Sequence, residues 1–391
     1  MSSNNPTQAL PEASPYARHI PALDGVRGFA ALGVVLSHVF PGTPRTHPEI
    51  VLRHVLSFGA LGVDLFFVLS GFLITGILYD SLADSAFFRK FYARRALRIF
   101  PLYYGVLIAF AIAAIVFHLN FHHQLLSLAL YLQNTYRIAI PISLYTGPSI
   151  LPLGHFWSLA IEEQFYLVWP VVVFLVRKKR SLFFCCAAAL LLCPLLRADA
   201  YVHGFPYGFI HVNTLCRSDS LLAGAALALL LRSKFHGNVL RTGMPLFCIG
   251  FAGIFLPDVF IPHLHSAFLA NLAASLRYSA AAAAASGVLL LALGSPFIRR
   301  LFTLGTLRSL GKYSYGIYVL HIILFAYFER PIRSFMLAHV TTSKAAIILT
   351  DGVLCFALTL LAAYLSYNFY ERRFLRLKRF FDYRRHATSA T

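Results

Sequence analysis

Residues 23–38 read Leu23-Asp24-Gly25-Val26-Arg27-Gly28-Phe29-Ala30-Ala31-Leu32-Gly33-Val34-Val35-Leu36-Ser37-His38. The run is apolar and close to membrane length, yet it carries an acid, an arginine and a histidine. Arg27 and His38 are eleven positions apart, which at about 3.6 residues per turn is almost three whole turns. Both side chains therefore leave one face of one helix, with Cα atoms about 16 Å apart along the axis. A cation and an imidazole on one stripe of a membrane helix belong in a protein interior or a polar cleft, not in lipid. A plainer reading has Arg27 reaching to the interface and His38 as an ordinary helix-end histidine.

The rest of the chain supports a bilayer setting. Of 391 residues, 58% are hydrophobic and 13% charged, with a mean hydropathy of +0.69. This composition predicts an all-α, polytopic integral membrane protein. The 36 Phe and 20 Tyr suit lipid-facing and interfacial positions. A net charge of +19 is a nucleic-acid signal only when it gathers on one soluble face. Here the basic residues fall between apolar runs, so the positive-inside rule explains them and no nucleic-acid partner is expected. The six cysteines are scattered, with no metal spacing and no disulfide framework, so no metal is expected. Residues 1–20 are rich in Ser, Asn and Pro and lack a basic start, so no cleaved signal peptide is expected.

Hydropathy predicts about ten transmembrane helices in a single membrane domain over 21–371, at roughly 22–40, 58–79, 99–118, 155–176, 182–197, 213–232, 243–256, 270–294, 305–328 and 345–370. Residues 1–20 read as a disordered tail and 372–391 as a basic tail, both cytoplasmic. A polar loop is expected at 41–57. Residues 122–136 are apolar but short, and read as a re-entrant or surface helix. With the N-terminus inside, the inner loops and C-terminal tail hold 23 Lys and Arg and the outer loops hold six. The expected location is the inner (plasma) membrane, multi-pass, with both termini cytoplasmic.

A charge near the bilayer centre costs about 2.5–3.5 kcal/mol on insertion scales, so each one needs a reason. Asp64 and Ser70 lie in Gly62–Phe72, Trp157, Glu162 and Glu163 in His155–Tyr166, Arg217 and Asp219 at the start of 213–232, and Tyr318 and His321 in Gly311–His321. By depth, Asp64, Glu162, Arg217 and His321 share an outer layer close to His38. Arg27 and the cluster Arg94, Arg95 and Arg98 face inward. The plainer reading of the acids is charge pairing between helices, for example Glu162 with Arg217. That of the arginines is positive-inside charge, and that of the Arg372–Arg385 stretch a basic, amphipathic tail on an anionic leaflet. An arginine-rich inner mouth suits a phosphate-bearing donor, and a histidine beside an acid suits proton abstraction from a hydroxyl. Acyl transfer from a coenzyme A thioester to an alcohol fits this map, as does a carrier with a proton-coupled site.

The chain resembles the acyltransferase 3 family of membrane O-acyltransferases across nearly all of 21–372. The resemblance rests on Leu23–Gly28 with the pair Arg27/His38, on Gly62–Phe72, on Arg95-Ala96-Leu97-Arg98 through Tyr104, on Phe156–Leu159 through Tyr166, on Arg217-Ser218-Asp219, and on Tyr313–Tyr318 to His321, all in the family's order. It implies acetyl-CoA or another acyl-CoA as a co-substrate entering from the cytoplasm, with no permanently bound cofactor. It implies His38 as the catalytic histidine, Arg27 as its partner, and Arg95 and Arg98 at the coenzyme A end. Asp64, Glu162 and Tyr318 would support the site or the acceptor. The acyl group rests on His38 or passes directly, and direct transfer with His38 as base is favoured. The implied acceptor is a cell-envelope carbohydrate, an exopolysaccharide or lipopolysaccharide unit, or a lipid-linked sugar. A macrolide-like small molecule, or transport of a lipid-linked sugar without chemistry, is the alternative. Some family members carry an extracytoplasmic hydrolase-like domain after the membrane core, and none is expected here.

Overall fold

A computed structural model of the chain describes residues 19–39, 47–118, 122–135, 151–260, 266–341 and 343–383. The predicted disordered tail falls almost wholly outside these residues, as do 136–150 and 384–391. Every regular element among them is helical. In chain order these are α1 (Pro21–Ser37), α2 (His47–Ser57), α3 (Gly62–Asp80), α4 (Phe87–Val116), α5 (His122–Ala129), α6 (Trp157–Val176), α7 (Lys179–Val202), α8 (Tyr207–Val212), α9 (Thr214–Leu230), α10 (His236–Arg241), α11 (Gly243–Phe260), α12 (Ala267–Gly294), α13 (Pro296–Phe302), α14 (Gly305–His339), α15 (Lys344–Leu365) and α16 (Arg372–Arg376). Short turns at Phe58–Leu61 and Gly154–Phe156 lead into α3 and α6, and Ser366–Glu371 and Leu377–Phe381 flank α16.

Six helices among the described residues are long and apolar enough to cross a membrane: α3 with the helix before it, α4, α6, α7, α12 and α15. Ten spans are not reached by that measure. α1 and α9 have 17 residues each, short of the roughly 20 that a bilayer core needs. The outward faces are apolar all the same. Ile108, Ile112 and Ile115 on α4, Leu167 and Leu175 on α6, and Leu191 and Leu192 on α7 are exposed, as lipid requires.

Three boundaries differ from the hydropathy reading. The 41–57 loop contains α2. The basic segment 87–98 and the apolar segment after it are one 30-residue helix, running through Pro101. The Tyr315 hydroxyl donates to the Ile99 carbonyl at 2.6 Å and that of Tyr370 to the Pro101 carbonyl at 3.1 Å, so side chains support the backbone where the proline breaks the ladder. Finally, α14 does not stop near 328 but runs 35 residues to His339, about 50 Å. Its polar last third is held by the Glu329–Arg333 ion pair and by Arg333 against Asp351 of α15 at 3.5 Å. α5, with eight residues, is about 12 Å long and does not span.

Glycines set how the centre packs. A Cβ on Gly28 would stand 2.0 Å from the Leu307 carbonyl oxygen, and one on Gly311 1.8 Å from that of Asp24. The backbones of α1 and α14 are therefore in contact, as small residues allow between membrane helices. Gly71 and Gly224 do the same for α3 and α9, at 1.8 Å from the Leu221 oxygen and 1.9 Å from the Val68 oxygen. α4 and α6 close the remaining side through an aromatic core in which Tyr103 stacks on Tyr131 at 4.4 Å and contacts Phe156.

Candidate active site

Where α1, α3, α4, α6 and α14 converge, they enclose a cavity of about 100 Å³, room for about three waters or one slender acyl arm. Each helix supplies polar groups to it: Arg27 from α1, Ser70 from α3, Arg95 and Arg98 from α4, Ser158, Glu162, Glu163 and Tyr166 from α6, and Ser314, Tyr315 and Tyr318 from α14. Arg27, Arg95 and Arg98 lie within electrostatic reach of one another. Arg27 is steadied by Asp24, one turn earlier at 3.3 Å, which also meets His19 at 2.7 Å. Among the described residues no carboxylate comes within ion-pair distance of Arg95 or Arg98.

Glu162 faces these arginines and not Arg217. Its carboxylate accepts a bond from the Ser70 hydroxyl at 2.6 Å, and Ser70 accepts one from Tyr166 at 3.0 Å. Arg95, Arg27 and Arg98 are all its electrostatic neighbours. Its position along the helix predicts an outer layer shared with His321; in the structure Glu162 lines the arginine cavity instead. The side chain of Arg94 turns the other way, toward the C-terminal segment, where it binds Asp382 at 2.6 Å.

At the far end of the cavity, Tyr318 and Ser158 are hydrogen-bonded to each other, and the Tyr318 hydroxyl also reaches the His155 carbonyl at 3.2 Å. Immediately beyond stand three histidines. The His38 ring meets that of His321 at 5.1 Å, and His321 meets His155 at 5.0 Å. The Tyr318 ring lies 5.6 Å from both buried imidazoles. Each histidine gives one ring N–H to a helix carbonyl: His38 Nδ1 to Val34 at 2.8 Å, His321 Nδ1 to Tyr318 at 2.7 Å, and His155 Nε2 to Val319 at 3.1 Å. A carbonyl only accepts, so the protonated nitrogen is assigned by its partner. The other nitrogen of each ring is then a bare acceptor. Those of His155 and His321 are buried without a partner among the described residues, and His38 is the one open to the outside. A bare imidazole nitrogen of this kind is chemically able to accept a proton.

Asp64, Arg217, Asp219 and Trp157 do not line the cavity. Asp64 pairs with Arg217 at 2.9 Å and accepts from Ser220 at 2.8 Å. Asp219 pairs with Arg197 at 2.9 Å, and Ser279 bonds both partners. The Arg217 guanidinium sits over the rings of Tyr278 and Trp157 at 4.5 and 5.9 Å. All four charged groups are buried, and together they tie α3, α7, α9 and α12. Sequence reasoning named Glu163 only as a membrane charge that needs a reason, and it did not single out His155 or Ser158. The signal for His155 was present, since it opens the run that carries Glu162, three positions before Ser158.

The family profile described as an acyltransferase domain matches residues 20–368. The putative peptidoglycan O-acetyltransferase YrhL of Bacillus subtilis is 30% identical over 380 residues, covering 91% of this chain and 55% of that protein. The peptidoglycan O-acetyltransferase OatA of Listeria monocytogenes is 30% identical over 325 residues, covering 78% of this chain and 49% of that protein. The chain thus spans about half the length of the curated relatives it matches. No solved structure gives a significant match. A helical bundle that sets an arginine-lined cavity against a histidine cluster, and that carries the family's profile over residues 20–368, belongs to the acyltransferase 3 family.

Proposed function

We propose that the chain is a membrane O-acyltransferase that moves an acetyl group from acetyl-CoA to a hydroxyl of a cell-wall carbohydrate. The observation that carries the reading is the placement of Arg27, Arg95 and Arg98 on one side of the Tyr318–Ser158 pair and of His38 on the other. Guanidinium groups bind phosphate by charge-assisted, bidentate contacts, so the donor's nucleotide lies at the arginine end, taken as cytoplasmic from the loop charges. Its thioester arm points through the cavity toward Tyr318. His38 Nε2 takes the proton of the acceptor hydroxyl, and the oxygen forms a bond to the thioester carbonyl carbon. The carbon–sulfur bond then breaks, and the proton passes from His38 to the leaving sulfur to give the free thiol. Glu162, held by Ser70, balances and orients the arginines. Asp64 and Arg217 hold α3 against α9 and do not touch the reacting atoms. The names of the relatives support an O-acetylated wall sugar as acceptor, the apolar helices support a multi-pass membrane protein, and the excess of Lys and Arg in alternate loops favours a plasma-membrane orientation with both termini cytoplasmic.

Purified protein given labelled acetyl-CoA and peptidoglycan fragments should transfer label to the glycan. His38→Ala should lower that rate by about 10²–10⁴-fold, the usual contribution of a positioned base, while melting like the wild type. Full turnover in this variant, or movement of a lipid-linked sugar with no thioester consumed, would contradict the reading.

A further inference from the structure

The C-terminal segment is rich in cations, and one of them is placed unlike the others. Arg372, Arg373, Arg376 and Arg379 are exposed, whereas Lys378 is half-buried. A basic segment that served only to face anionic lipid would keep its cations outward, as those four do. Lys378 instead turns onto α4, within electrostatic reach of Arg98, Arg95, Arg94 and Arg27.

Arg94 holds it there. Its Nη1 donates to the Lys378 carbonyl at 3.3 Å, to the Phe381 carbonyl at 3.4 Å and to Asp382 at 2.6 Å, and its guanidinium carbon lies 5.6 Å from the Tyr383 ring. Arg94 grips Lys378 through the backbone, so the ammonium is not consumed by the contact. Among the described residues, neither that ammonium nor Arg95 nor Arg98 has a carboxylate within ion-pair distance. Asp24 pairs with Arg27 and Asp382 with Arg94, which leaves Lys378, Arg95 and Arg98 as neighbouring cations whose repulsion a bound anion would relieve.

We propose that Lys378 is a donor-binding residue, closing a ring of cations around the phosphate groups of the acyl-CoA nucleotide at the mouth of the Arg27 cavity. The proposal rests on the donor reading above and adds a residue from a segment that positive-inside charge alone would explain. At about 100 Å³ the cavity is smaller than a nucleotide, which puts the phosphates outside it, beside Lys378 and within electrostatic reach of Arg98, Arg95 and Arg27.

The test compares acetyl-CoA with phosphate-free S-acetyl-pantetheine as donors, in detergent, for the wild type, Lys378→Gln and Lys378→Arg. One charge-assisted contact is expected to raise the KM for acetyl-CoA about 10- to 100-fold in Lys378→Gln. The loss should be absent with S-acetyl-pantetheine, and Lys378→Arg should restore most of it. An unchanged KM for acetyl-CoA, or an equal loss with both donors, overturns the role of Lys378. A wild type that does not use acetyl-CoA at all overturns the donor reading itself. An anionic headgroup offers the same phosphate chemistry, so phosphatidylglycerol binding is measured in parallel. An effect of Lys378→Gln on lipid binding alone, with the KM unmoved, assigns the lysine to the bilayer and overturns the proposal.

Discussion

A carboxylate in an apolar helix can be there for a substrate or for another charge, and Asp64 shows how geometry separates the two. Residue type and depth made it a catalytic candidate beside Glu162. In the fold Asp64 is buried against Arg217 and Ser220, while Glu162 lines the cavity. Removing one partner of a buried ion pair leaves the other uncompensated, so Arg217→Met should destabilise the protein by about 3–5 kcal/mol. The double variant Asp64→Leu with Arg217→Met should recover most of that and keep turnover, measured by thermal unfolding and acetyl transfer in detergent. Loss of turnover in a double variant of normal stability would return Asp64 to the chemistry. The types and depths of these side chains were legible in the sequence. Their partners were not, because Asp64 and Arg217 are 153 positions apart and nothing local distinguishes Arg217 from Arg95 as a mate for an acid.

At the scale of helices, the site depends on how closely α1 and α14 approach. His38 and Arg27 ride on one, His321 and Tyr318 on the other, and Gly28 and Gly311 let the two backbones touch. Gly311→Leu would drive a side chain into the Asp24 carbonyl. It should cost at least the 1–3 kcal/mol typical of overpacking and abolish transfer by separating His38 from His321. Gly237→Ala in α10, which meets nothing within 4 Å, should change stability by no more than about 1 kcal/mol. Both are read by thermal unfolding, and a neutral Gly311→Leu would count against the close crossing. Hydropathy located the apolar runs well because lipid contact is a composition signal. It misjudged the end of α14, because a helix leaving the apolar layer is kept helical by the Glu329–Arg333 pair and by Asp351 on another helix. It also split α4 where the charge pattern changes, although the backbone does not change there.

For the molecule as a whole, the proposed reaction brings a thioester to one side and an alcohol to the other, with Tyr318 and Ser158 between them. The stripe from Arg27 to His38 was readable from an eleven-residue spacing. What closes it, Tyr318 on Ser158 with His155 and His321 behind, comes from helices brought together only by the fold. The same holds for the C-terminal strap, whose composition says basic tail and whose contacts join Lys378 to the arginine mouth. Two-sided chemistry is measured most directly in sealed vesicles holding the protein in one orientation, with labelled acetyl-CoA supplied only on the arginine face and a peptidoglycan fragment only on the His38 face. Label should reach the fragment with the wild type and fail to with His38→Ala. Transfer that occurs only when both substrates share one face, or that survives in His38→Ala, would contradict the account.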